Sequence, residues 1–235
     1  MLTLVIDRSS GRPGMAVFED ERLVFTESAD VEPSRAPEWI AGLAETLGTH
    51  GLAVAAFDRF VCGLGPGSFS GIRACLSALQ GMALPGGTPV CGVASAAALA
   101  LGQSEADGLV TVVGDARRGR LWCVTYVVDA EGGRVRLADG RVPAHTADDF
   151  LLVPVDGLAA AVPVGTKIVS SDWSRLEGVL RGMFDAGRLV ARAVFPMAED
   201  MGRLAVSEPS ACVSEPLPIY LHPAVAVKPV DACVQ

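Results

Sequence analysis

The sequence predicts a duplicated α/β fold of two lobes, each a small sheet with helices packed on it, meeting at a cleft. Three observations carry that expectation. Residues 2–7 and 109–115 are apolar, strand-like runs that each end in an acid, Asp7 and Asp115. Each is followed by further strand-like runs in a meander, so the order of elements repeats although the sequence does not. Third, residues 59–64 form a short apolar strand that passes through Gly65-Pro66-Gly67-Ser68 into a segment with apolar residues at Ile72, Leu76, Leu79 and Ala83. That spacing is helical, and the unit reads as strand, glycine loop, helix.

The elements follow in order. After the first strand, a turn rich in Ser, Gly and Pro leads to a strand at 15–18, and the polar turn 19–21 leads to a third at 23–26. A helix is predicted from about 37 to 49, with Ile40, Leu43, Ala44 and Leu47 on one face and Pro37 in its first turn. Trp39, beside that face, reads either as core packing or as an aromatic anchor for a partner. The glycine-loop helix runs from 68 to 84, with Ser68 placed to cap it; a strand at 89–93 follows, and Ser95 is placed to cap an alanine-rich helix through Leu101. The second lobe repeats the pattern with strands at 109–115, 119–128 and about 135–137. Further on, 148–152 reads as the start of a short helix, 167–170 as a strand and 196–205 as a helix. The lobes are expected to divide into 1–105 and 106–235, with the tail 195–235 returning to the N-terminal lobe. That tail, which contains Pro218-Ile219-Tyr220-Leu221-His222, is too apolar for a free linker.

Bulk properties narrow the function classes. The chain has 235 residues, 50% hydrophobic and 20% charged, enough to bury a sizeable core. Its net charge of −8 argues against a standing electrostatic grip on nucleic acid, which needs clustered Lys and Arg. If RNA is involved, another subunit is expected to supply the positive surface. The six cysteines, Cys62, Cys75, Cys91, Cys123, Cys212 and Cys233, show no CxxC pair and no zinc-like spacing, which suits reduced thiols in a cytosolic protein. Asp7 comes too early for a signal-peptide core and no uninterrupted apolar span follows, so a cytoplasmic protein with no membrane role is expected.

The candidate chemistry sits at the strand ends. The glycine loop is neither a Walker A loop nor a GxGxxG fingerprint, and reads either as a tight structural turn or as a loop that contacts a ligand or partner. Helix starts carry free N–H groups that can hold an anion. Asp7 and Asp115 are expected to approach the cleft from opposite sides, where such acids either hold a metal or water in a phosphotransferase or close their own turns. Asp7, Arg8, Ser9, Gly65, Gly67, Ser68 and Asp115 therefore form the candidate ligand site. His50, His145 and His222 are too far apart for a histidine pair one helical turn apart, and no Gly-x-Ser-x-Gly elbow is present. No catalytic residue and no metal site is expected.

Taken together, Val5-Ile6-Asp7, Gly65 through Arg73, Gly92-Val93-Ala94-Ser95, Asp115-Ala116-Arg117-Arg118-Gly119 and Pro218-Ile219-Tyr220-Leu221 resemble the bacterial TsaB family. Residues 196–201 match as well, and the likeness is weakest from about 130 to 190. The resemblance implies an actin-like fold (ASKHA, ribonuclease H-like) and a non-catalytic scaffold that binds and activates the TsaD paralog in threonylcarbamoylation of tRNA adenosine beside the anticodon. It further implies the ATPase TsaE as a partner, tRNA contact only through the complex, a homodimer when TsaD is absent, and ATP or ADP at the partner interface as the one cofactor to consider. Pairing through the first helices would place contacts at Trp39, Ile40, Leu43, Leu47, Phe69, Ile72, Arg73, Leu76 and Leu79. Two positions depart from the family pattern: Asp7 is followed by Arg8-Ser9 where Thr and a small polar residue are usual, and Ser34-Arg35-Ala36-Pro37 stands where a histidine often precedes the first helix. The competing reading is an actin-fold ATP-binding phosphotransferase or ATPase acting across Asp7 and Asp115.

Overall fold

The structure is a computed structural model and describes residues 1–29, 36–103 and 107–222. The Ser34-Arg35 departure, Cys233 and the last residues of the tail lie outside the described residues. In the first sheet, β1 (Leu2–Asp7), β2 (Gly14–Glu19) and β3 (Arg22–Ser28) form an antiparallel meander, while β4 (Arg59–Gly63) and β5 (Val90–Val93) add in parallel, giving the order β3-β2-β1-β4-β5. Central position explains the composition of β1: Leu4, Val5 and Ile6 are all fully buried, because a strand covered on both faces has no solvent side for polar residues.

The second sheet repeats this plan. An antiparallel meander of β6 (Gly108–Arg117), β7 (Arg120–Asp129) and β8 (Arg134–Leu137) is joined by β10 (Lys167–Val169), parallel to β6 as β4 is to β1. A parallel bridge between Ile168 and Leu189 stands where β5 stands in the first sheet. The duplication inferred from two acid-ended strands is thus present in the strand order itself.

Helices fill the remaining positions: α1 (Ala36–Ala41), α2 (Leu43–Thr49), α3 (Phe69–Ala83), α4 (Ser95–Gly102), α5 (Leu158–Ala161), α6 (Trp173–Met183) and α7 (Ala198–Ser207). In α4, residues 95–101 are buried on every side. A helix apolar all round must lie inside the protein, and α4 packs on β6, β7 and α7. In turn α7 packs on β1 and β2, so closely that a Cβ on Gly202 would lie 2.1 Å from the Phe18 ring. These two helices join the inner faces of both sheets into one core, while a second cluster around Val113, Leu158, Ile168, Trp173 and Leu180 covers the outer face of the second sheet.

Four local expectations need correction. The predicted helix at 37–49 is interrupted at Gly42, which separates α1 from α2 and accepts the hydrogen bond of Thr46 N at 2.9 Å. Ser95 is the first residue of α4, with Ala94 at the cap position, because its hydroxyl is used elsewhere. Residues 148–152 do not begin a helix: a single 3-10 turn at Ala147–Asp149 precedes strand β9 (Leu151–Pro154), which pairs with β7. Helices α5 and α6 were not anticipated, although Trp173, Leu176, Leu180 and Phe184 recur at helical spacing and are all buried.

Candidate functional site

The Asp7 carboxylate marks the end of β1 and is fully buried. Oδ1 accepts from the Ser9 amide and the Ser9 hydroxyl, both at 2.9 Å, and Oδ2 accepts from the Ser95 hydroxyl at 2.5 Å. Ser95 Oγ in turn accepts from the Gly65 amide at 3.0 Å. Burial pushes the Asp7 carboxyl up, and the Ser95 and Ser9 hydrogen bonds pull against that shift. No room remains beside it: a Cβ on Gly63 would fall 1.9 Å from Oδ2.

The glycine loop closes over this group. Ser68 N donates to Ser9 O at 2.7 Å, a Cβ on Gly67 would meet Ser9 O at 2.1 Å, and one on Gly71 would meet Arg8 O at 2.2 Å. Gly65 takes φ +90°, which a side chain would strain. Ser68 caps α3 as expected, its Oγ accepting from Gly71 N at 3.2 Å. Gly67 and Gly71 thus permit backbone to press on backbone. The Arg8 side chain is buried as well.

Asp115 belongs to another cluster. Its Oδ1 accepts from Arg117 N at 2.8 Å, its Oδ2 lies 3.1 Å from Arg117 Nη1 and 3.3 Å from Arg175 Nε, and its amide donates to Asp172 Oδ2 at 2.8 Å. The C-terminal segment spans from one strand end to the other: Ile219 N donates to Leu64 O at 2.9 Å, next to the glycine loop, and His222 Nε2 lies 2.7 Å from Ala116 O, next to Asp115. Three peptide units cover at most about 11 Å, so this strap holds the ends of β4 and β6 close together. In open α/β sheets ligands bind outside the carboxyl ends of the strands. Here the strap lies at those ends.

Beside the strap is an exposed group that the sequence only partly indicated. Phe69 is 55% exposed and Tyr220 41% exposed. The Arg73 guanidinium stacks on the Phe69 ring at 3.8 Å, and Arg73 Nε donates to Tyr220 Oη at 2.6 Å. Tyr220 was not singled out as a contact residue, since only folding of the tail onto α3 places it there. Of the other expected contact residues, Trp39 and Ile40 are half-buried. Leu43, Leu47, Ile72, Leu76 and Leu79 are buried. Those five are corrected from partner contacts to core residues, because their stripe seats α2 and α3 on the chain's own sheet.

Comparison with known proteins adds the lineage. The family model described as TsaD, tRNA N6-adenosine threonylcarbamoyltransferase, matches residues 38–141. The tRNA threonylcarbamoyladenosine biosynthesis protein TsaB of Bacillus subtilis (strain 168) is 25% identical over 126 residues, which cover 54% of this chain and 55% of that protein. Its counterpart in Escherichia coli (strain K12) is 32% identical over 90 residues, 37% of this chain and 39% of that protein. In these segments the chain is similar to the TsaB proteins. The matched part spans about half the length of these curated TsaB relatives, or less. A solved structure from Pseudomonas aeruginosa, described as similar to the peptidase YeaZ, is 23% identical with a TM-score of 0.74, covering 94% of this chain and 99% of its own. The structure of YeaZ from the same organism gives 23% and 0.73, with coverage of 94% and 99%. These neighbours share the fold, which is the two-lobed actin-like fold expected. Among the described residues no group of three or more His, Cys, Asp or Glu is placed to hold a metal ion, and no helix is long and apolar enough to cross a membrane.

Proposed function

We propose that this chain is a scaffold subunit in threonylcarbamoyladenosine biosynthesis on tRNA, binding and activating TsaD without carrying out chemistry itself. The observation that supports this most directly is the state of the Asp7 carboxylate. In a phosphotransferase of this architecture it would face a metal or water; here its oxygens are taken by Ser9 and Ser95 under a closed glycine loop. The process named for the curated relatives, tRNA threonylcarbamoyladenosine biosynthesis, supplies the pathway step. The contact surface is the exposed side of α1 and α3 with the strap: Trp39, Ile40, Phe69, Arg73 and Tyr220. Aromatic residues and arginine are enriched among interface hot spots. With a net charge of −8, the subunit meets tRNA through the complex rather than by its own field. TsaE, a homodimer in the absence of TsaD, and ATP or ADP at the interface belong to the same proposal.

Size-exclusion chromatography with light scattering tests it, on the protein alone and mixed with TsaD from the same organism, with and without ATP. A mixed peak at or above the heterodimer mass is expected. Separate peaks under every condition would refute the scaffold role. Saturable ATP–magnesium binding by the isolated chain, lost in Asp7→Asn, would favour a phosphotransferase instead.

A further inference from the structure

Phe69 and Arg73 lie one turn apart on α3, and Tyr220 meets them from the C-terminal strap. The Arg73 guanidinium stacks on the Phe69 ring at 3.8 Å and stands 5.3 Å from the centre of the Tyr220 ring, while its Nε donates to Tyr220 Oη at 2.6 Å. The two rings are 5.4 Å apart. One edge of the guanidinium is therefore used by the phenol, and the edge formed by Nη1 and Nη2 donates to no group among the described residues. Arg73 also differs from other surface arginines in what holds it. Arg22, Arg117, Arg141 and Arg181 each sit against a carboxylate of this chain, whereas among the described residues no acid stands at ion-pair distance from Arg73. An arginine fixed by rings instead of by an acid is ordered with its charge still unanswered.

We infer that Arg73 is the docking point for one carboxylate of the TsaD partner, an Asp or Glu set among apolar side chains, and that Tyr220 is the positioning residue that aims it. The inference rests on the scaffold reading above. Two parallel N–H groups on the open edge match the two oxygens of a carboxylate. The exposed Phe69 and Tyr220 rings are then covered by the apolar surroundings of that acid, which excludes water and strengthens the pair. A phosphate is the poorer fit, because a net charge of −8 supplies no basic field to gather a polyanion and the cluster holds a single cation. The stack and the Nε–Oη bond hold the side chain before the partner arrives, so little rotamer freedom is lost on docking. Tyr220 follows Ile219, whose amide is bonded to Leu64 O, so the seated strap is what delivers the hydroxyl.

Calorimetry of the full chain with TsaD from the same organism tests this, with circular dichroism confirming that each variant is folded. Arg73→Met, which keeps the stem on the rings, is expected to weaken binding at least about tenfold. Tyr220→Phe, which removes only the hydroxyl, should weaken it by about two- to twelvefold, the ordering cost of one long side chain, and should have no further effect in an Arg73→Met background. Reversal of one exposed Asp or Glu of TsaD to Lys should restore the affinity that Arg73→Glu loses. Wild-type binding that Arg73→Met leaves unchanged, or the absence of any restoring reversal, would overturn the inference while the scaffold role stands. Competition by inorganic phosphate at the wild-type surface, lost in Arg73→Met, would assign the edge to a phosphate group and overturn it too. No binding by the wild type at all would refute the scaffold role, and this contact with it.

Discussion

Ser95→Ala is the most informative single change, because one hydroxyl serves both Asp7 Oδ2 and the Gly65 amide. Its loss takes the donor from Asp7 Oδ2 and the acceptor from Gly65 N–H, at the joint between β1, the glycine loop and α4. A hydrogen bond to a charged group contributes about 1.5–3 kcal/mol, and a buried N–H left without an acceptor costs about 1–3 kcal/mol. Allowing for partial relaxation, destabilisation of about 3–4 kcal/mol is expected, a fall in Tm of roughly 6–16 °C for a chain of this size. Thermal unfolding followed by circular dichroism measures it, and a cycle with Asp7→Asn isolates the coupling, since Asn keeps an acceptor but removes the charge. The alternative is an open cleft in which water replaces the hydroxyl. An unchanged Tm in Ser95→Ala would establish that alternative and remove the main support for a non-catalytic Asp7.

The remaining predictions concern packing, pH and association. Gly71→Ala should destabilise by about 3 kcal/mol or more, because its Cβ would meet backbone at Arg8 O, whereas Gly81→Ala in the same helix has nothing within 4 Å and should stabilise by about 0.5–1 kcal/mol; urea melts compare the two. Leu43→Asp and Leu76→Asp should unfold the chain rather than yield a folded protein that fails to pair, a distinction circular dichroism makes directly. Burial lowers the His145 imidazole to about 4, and its Nδ1 accepts from Ala94 N at 3.1 Å, which requires the neutral ring. The folded value lies below the unfolded one, so stability is fully present above about pH 6.5 and is lost as pH falls from there toward 4, by up to about 3 kcal/mol. His145→Asn, which tolerates the φ of +54° and keeps an acceptor, should flatten that slope. Asp200, pushed up to about 6 by burial, acts in the opposite sense over an overlapping range, so the difference between variant and wild type is the quantity to plot. Arg73→Glu should leave the fold intact and weaken TsaD binding at least about tenfold by calorimetry, as expected for a hot-spot arginine.

Much of this fold was legible because its signals are local. The acid-ended strands, the helical spacing after Ser68 and the meander turns each depend on a few neighbouring residues, and the structure has them at or near the expected bounds. What failed was decided by tertiary context. Ser95 looks like a cap in isolation, yet its hydroxyl is committed to Asp7, 88 residues away in sequence. The stripe of Leu43, Leu76 and Leu79 has helical periodicity, but periodicity cannot say whether the sheet beneath it is the chain's own or a partner's. Tyr220 could not be placed beside Phe69 and Arg73, since that contact spans 147 residues. By contrast the signal for α6 is local, in the helical spacing of Trp173, Leu176, Leu180 and Phe184.

The duplication also places two strand-end acids in different surroundings on one architecture. Each half ends its first strand in an acid, and each acid is neutralised by different means: hydroxyls and an amide around Asp7, guanidinium groups around Asp115. The Asp7 arrangement draws on Ser95 at the start of the core helix α4, whereas the Asp115 arrangement uses the half-exposed Arg175 and the exposed Arg117. The strap then needs only backbone carbonyls, Leu64 O and Ala116 O, which any sequence at those strand ends supplies. The strap is therefore separable from the stability of the core. Substituting His222→Ala should release the Ala116 end of the strap at a cost of about 1 kcal/mol, typical of a single hydrogen bond, while Tm stays within a few degrees of wild type. Hydrogen exchange at Ile219 and Tyr220 reads the release; unchanged protection there would mean that the Ile219–Leu64 bond and the Phe69–Tyr220 contact hold the strap without His222.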